Sequence, residues 1–105
     1  MDFMFRISLR KPAAMPAAEF WSAWLAEAEP SLGAIAGGYL QIWKVAGRDE
    51  AVGIMSVETL DDLDGIYDLP MWASGNQHVV ESVEWTPLRA HADWVEDLRR
   101  LSAQR

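Results

Sequence analysis

His78, His91, Glu27, Glu29, Lys44 and Arg48 are the side chains through which this 105-residue chain could move a proton or hold an acid. A histidine or carboxyl group taken out of water has its proton affinity shifted towards neutral pH, which suits it to acid–base work on a carbon acid. His78 opens an apolar run beside a polar loop and is the better placed histidine for chemistry; its plain alternative is an edge or surface position. His91 falls in a helical stripe beside Trp94 and Val95, where packing is enough to explain it. Glu27 and Glu29 fall near the expected end of the first helix, where either a cavity mouth or open solvent would accept them. Lys44 and Arg48 flank a central hairpin, and either suits the carboxylate of a small acidic substrate, arginine through two parallel hydrogen bonds. Arg48 is equally suited to pairing with Asp49 or Glu50 in its own turn. Tyr39 and Trp43 share one strand face, as walls for a flat ligand or as a seam between two copies.

Other chemistries lack their groups. There is no cysteine, so thiolate catalysis, disulfides and sulfur-ligated metals are excluded. The two histidines stand thirteen residues apart on different predicted elements, with no H-E-x-x-H or H-x-x-x-H pair, and no metal site is expected. Neither a glycine-rich phosphate loop nor G-x-S-x-G occurs. Sixteen acidic residues against nine basic ones give a formal charge of −7, which repels a phosphate backbone and argues against a nucleic-acid partner. No stretch approaches the ~20 apolar residues that cross a bilayer. The opening MDFMFRISLRKP alternates where a signal peptide would be continuously apolar, so a cytoplasmic protein without a membrane partner is expected. Six tryptophans in a chain of this size point to an aromatic-lined cavity or a subunit contact as well as a core.

The elements that must position these groups follow from periodicity. Phe3, Phe5, Ile7 and Leu9 recur at a spacing of two and predict a first strand. Phe20, Trp21, Trp24, Leu25 and Ala28 recur at three and four, as on an amphipathic helix that Pro30 is expected to end or interrupt. A second strand over about 39–46 places Tyr39, Gln41, Trp43 and Val45 on one side, and Leu40, Ile42, Lys44 and Ala46 on the other. A charged turn at 47–50 leads to a third strand over 51–57. Thr59 and Asp62 have the spacing of a helix start, with Leu60, Leu63, Ile66 and Tyr67 as the apolar face and Leu69-Pro70 as the stop. A fourth strand is expected over 78–86, its alternation broken at Glu81 and its end marked by Pro87. His91, Trp94, Val95, Leu98 and Leu101 make a last helical stripe. The order β-α-β-β-α-β with an extra C-terminal helix is the ferredoxin-like α+β plan, read as one domain over 1–105 with its core in 1–88 and the last helix at about 89–103. Two helices cover only one face of such a sheet, so a homodimer, sheet against sheet, is expected to cover the other.

The stretches I-W-K-V-A-G-R at 42–48, S-V-E-T-L-D-D-L at 56–63, L-P at 69–70, the opening M-x-F-M-F-R-I and V-E-W-T-P-L at 83–88 resemble the muconolactone isomerase family over about residues 1–90. The resemblance implies a ferredoxin-like fold closed by two copies into a dimeric α+β barrel, assembly into a homodimer or higher homo-oligomer, and no metal or organic cofactor. It implies an isomerase that shifts a proton so that the double bond of an unsaturated lactone moves. The chain departs from the family at several points. It has Ala26-Glu27 where the family has a Glu-Lys pair, Gln41 where the family has histidine, and Tyr39 where it has tryptophan. A longer run after Leu69-Pro70 carries Trp72 and His78, and the tail is helical where the family's is short and extended. The expected function is therefore proton transfer on a small unsaturated lactone or related acid, with possible cyclisation. His78 or Glu27 would be the base, Arg48 or Lys44 the acid's partner, and Tyr39, Gln41, Trp43 and Trp72 the substrate-binding walls. The competing expectations are a non-catalytic small-molecule-binding or structural dimer, and a cofactor-free monooxygenase on the same scaffold.

Overall fold

The computed structural model describes residues 1–65 and 77–104. Four strands form one antiparallel sheet: β1 (Asp2–Leu9), β2 (Leu40–Lys44), β3 (Glu50–Ser56) and β4 (Val80–Leu88), in the spatial order β2-β3-β1-β4. Helix α1 (Ala17–Ala36) connects β1 to β2, the single turn α2 (Asp61–Asp64) follows β3, and α3 (His91–Ser102) follows β4. This is the expected ferredoxin-like βαββαβ order with an added C-terminal helix.

The expected closure into an α+β barrel does not occur. The sheet is open, with β2 and β4 as separate edges that each pair with a single neighbour. Four twisted strands are about half the number that closes even a small barrel, so nothing brings those edges together.

Pleating divides the sheet into two unlike faces. Phe3, Phe5 and Leu9 are buried on the helix side, and their partners Met55 and Gly53 on β3 and Trp85 on β4 share that side. Asp2, Met4, Arg6 and Ser8 alternate onto the open side. The innermost cluster is Leu9, Phe20 and Val79, with Ile7, Met15, Trp24 and Val80 against it. Val79, in the turn before β4, and Val80, its first residue, both reach this cluster where the register of β4 with β1 shifts between Ser8, opposite Ser82, and Leu9, opposite Val80. Glu81 is the extra residue of that bulge, which accounts for the broken alternation there. Pro87 does not end the strand: β4 continues to Leu88, because an edge strand can hold a residue that has no N–H to donate.

α1 likewise runs on past Pro30 to Ala36. Pro30 leaves the Ala26 carbonyl without its helical donor, but both residues lie on the exposed side, where water replaces the lost bond. The helix stops where Gly37 N–H donates to Gly33 O at 2.9 Å and Gly38 adopts a positive φ of 82°. Asp62 realises half of the expected capping pair, its Oδ2 accepting from the Glu58 and Thr59 N–H groups at 3.1 Å each. Replacing Asp62 by alanine should cost about 1 kcal/mol, read as a shift in the urea midpoint.

Gly53 marks the tightest spot of the sheet. A Cβ there would lie 2.1 Å from the Gln41 carbonyl oxygen and 2.6 Å from Phe5 Cζ. The first clash is with backbone, which cannot swing away. Gly53→Ala should therefore destabilise the fold by about 1–3 kcal/mol, visible in the same urea titration.

Candidate functional site

The inner stripe of α1 decides what the helix presents to the sheet. Phe20 and Ala23 are buried, and Trp24, Glu27, Ala28, Ser31 and Ala34 are half-buried along the same side. Glu27 therefore stands one turn beyond Ala23 on the sheet-facing side and mid-helix, because α1 is longer than its prolines suggested. Glu29 lies on the exposed side. Behind Glu27 the helix is aromatic: Phe20 meets Trp21 at 5.2 Å and Trp24 edge-on at 5.9 Å between ring centroids. The sheet offers a second aromatic pair on the same side, Phe5 against Trp85 at 5.7 Å.

The other candidates occupy different places. Gln41 and Trp43 pair with Ile54 and Val52, which puts them on the open face with Met4 and Arg6, across the sheet from Glu27. Lys44 pairs with Ala51, opposite Ile7, and so takes a helix-side register position at the end of β2, exposed to solvent. Arg48 projects from the β2–β3 turn, 71% exposed and 4.0 Å from Glu50. Glu50 is already held by Arg6 Nη1 at 2.8 Å and by the Ser8 hydroxyl at 3.2 Å. His78 sits exposed in a short 3-10 turn, Gln77–Val79, at the same end of the sheet as that turn. Backbone bonds from Leu9 N–H to Asp49 O and from Arg10 N–H to Val79 O, both 2.7 Å, tie the two segments to the end of β1. Trp72 lies outside the described residues.

Tyr39 belongs to the opposite end. It borders a depression of about 550 Å³ with Met55, Ser56, Val57, Glu58 and Asp62. Residues 55–58 were not among the sequence candidates, since nothing in a strand end signals that it will share a depression with a tyrosine sixteen or more residues away. The five residues of β2 and the step to Val45, at about 3.3 Å each, separate Tyr39 from the β2–β3 turn, so Tyr39 and Arg48 stand roughly 20 Å apart along the sheet. One small molecule cannot touch both within a single chain. Among the described residues no group of three or more His, Cys, Asp or Glu side chains gathers to hold a metal ion, and no helix is long and apolar enough to cross a membrane.

An open ferredoxin-like sheet with one helix layer, a half-buried glutamate on the inner side of that layer and exposed Met4, Trp43 and Ile54 on the other strand face define the class: a small α+β domain of ferredoxin-like plan. The model of the muconolactone delta-isomerase family matches residues 1–93, and the chain belongs to that family. A crystal structure of muconolactone isomerase has the same fold, with a TM-score of 0.67 at 19% identity, over 87% of this chain and 91% of that one. No curated protein matches by sequence.

Proposed function

We propose that the protein is an isomerase-type enzyme that moves a proton between two carbons of a small unsaturated lactone or related acid, working as a homodimer or larger homo-oligomer. The observation that carries this reading is the place of Glu27, half-buried on the sheet-facing stripe of α1 in a chain of the muconolactone delta-isomerase family. A carboxylate there takes a proton from the carbon next to the carbonyl and returns it further along the conjugated system. The double bond moves, no electrons are exchanged, and the base ends as it began. Aromatic side chains around the helix–sheet space keep water from competing for the proton. In this reading Lys44 draws the substrate carboxylate towards the helix side, and His78 is the second candidate for the base. Arg48, Gln41 and Trp43 enter the site only if another copy brings them to it.

The test is ultraviolet absorbance of a panel of unsaturated lactones incubated with the protein in deuterium oxide. A shift of the conjugated band together with solvent deuterium at the new position supports the reading. Absence of both across the panel rejects it. The depression at Tyr39 favours one other reading, a binding protein without turnover: a lactone that binds with a Tyr39-dependent affinity and is recovered unchanged would establish that instead.

A further inference from the structure

Helix α3 is a twelve-residue amphipathic helix with no buried residue. Its apolar stripe stands open, with Trp94, Leu98 and Leu101 exposed by 39, 43 and 47%. The charged residues pair among themselves: Arg89 and Arg100 both pair with Asp97, Arg99 pairs with Glu96, and the Arg89 guanidinium lies 5.2 Å above the Trp94 ring at the edge of the stripe. A helix of this length is marginal in water unless its apolar side is covered. Among the described residues only Arg89, over Trp94, lies against that side.

Four further observations say what covers it. The molecule measures 62 × 25 × 21 Å with a radius of gyration of 17.4 Å, where a compact chain of this length has about 13 Å. Its surface is 7442 Å², some 1,500 Å² above the ~5,900 Å² of a folded monomer of this mass. That surplus exceeds the ~800 Å² per partner buried in a standard specific interface. The open sheet face carries a matching apolar patch, with Met4, Trp43, Ile54 and Leu88 exposed by 36–56%, and Leu88 leads directly into the arm. Charge also fits: of −7 in total, residues 89–105 hold +1 (Arg89, Arg99, Arg100 and Arg105 against Asp93, Glu96 and Asp97), leaving −8 on residues 1–88. Two acidic bodies repel each other, whereas a neutral-to-basic arm does not repel either.

We infer that α3 is an exchanged arm, its Trp94–Leu98–Leu101 stripe seated on the open sheet face of a second copy of this chain, which returns the same contact. The inference rests on the two-copy reading above and adds the segment that makes the contact. The family match ends at residue 93, so nine of the twelve residues of α3, its whole apolar stripe among them, lie beyond it.

Sedimentation equilibrium of the full chain, beside the double variant Leu98→Glu/Leu101→Glu, tests it. The unaltered chain should sediment at a multiple of 11.8 kDa. The variant should sediment as single chains at the same concentration, with at least a tenfold weaker association. Single chains of the unaltered protein at high micromolar concentration would overturn both this inference and the two-copy reading. A variant that associates as the unaltered chain does would overturn the arm alone. Hydrogen exchange on the unaltered chain decides the matter if the variant fails to fold. The amides of 91–102 should lose protection on dilution in step with the fall in mass, and protection indifferent to dilution would place α3 on its own chain and overturn the exchange.

Discussion

Glu27→Gln should lower kcat by roughly 10²–10⁴-fold, with the urea midpoint almost unchanged. Glutamine keeps the length and planarity of the side chain and can accept or donate a hydrogen bond, but it cannot take up a proton and hand it on. The loss corresponds to about 3–5 kcal/mol of transition-state stabilisation at ~1.4 kcal/mol per decade. It should fall on kcat more than on KM, because the proton moves in the chemical step while the substrate is held elsewhere. Glu27→Asp, which withdraws the carboxylate by one methylene, should retain more turnover than the glutamine variant. His78→Ala is the paired measurement. If it abolishes turnover while Glu27→Gln retains it, the base is the exposed histidine at the start of β4, and the helix carboxylate is structural.

Phe20→Ala should cost about 3–5 kcal/mol. Phe20 is 1% exposed and forms the centre of the cluster with Leu9 and Val79. Its ring also meets Trp21 and Trp24, so truncation removes two aromatic contacts as well as apolar area. Domains of this size hold about 5–15 kcal/mol in all, so one side chain accounts for roughly a fifth or more of the stability. Collapse of the site is the expected consequence, because Phe20 anchors the helix that carries Glu27. The measurement is the urea midpoint with near-ultraviolet circular dichroism. Phe20→Leu, which refills much of the space, should lose visibly less. Equal loss in both variants would show that ring geometry, rather than volume, holds α1 on the sheet.

Much of this architecture could be read from local pattern. The period of two in Phe3-Phe5-Ile7-Leu9 names both β1 and the side it buries, and the alternation of 39–45 assigns Gln41 and Trp43 to one face and Lys44 to the other. Where the reading failed, a local rule met a tertiary exception. Pro30 breaks an isolated helix but is tolerated on the exposed side of one packed elsewhere along its length. Pro87 ends a central strand but not an edge strand. The closed barrel failed for a different reason: neither four strands nor their alternation says whether the edges will meet, and here they do not.

By itself the sequence determined the order of elements, the side of the first strand that faces inward, the acidic charge and the absence of thiol chemistry. These follow from backbone sterics and side-chain chemistry, which act within a few residues. Only the tertiary structure decided that Glu27 lies under the helix layer while Trp43 lies across the sheet from it, that Tyr39 borders one depression with residues 55–58, and that α3 leaves its apolar stripe exposed. Those placements depend on strand register and on contacts between residues tens of positions apart, and no spacing within one segment encodes them.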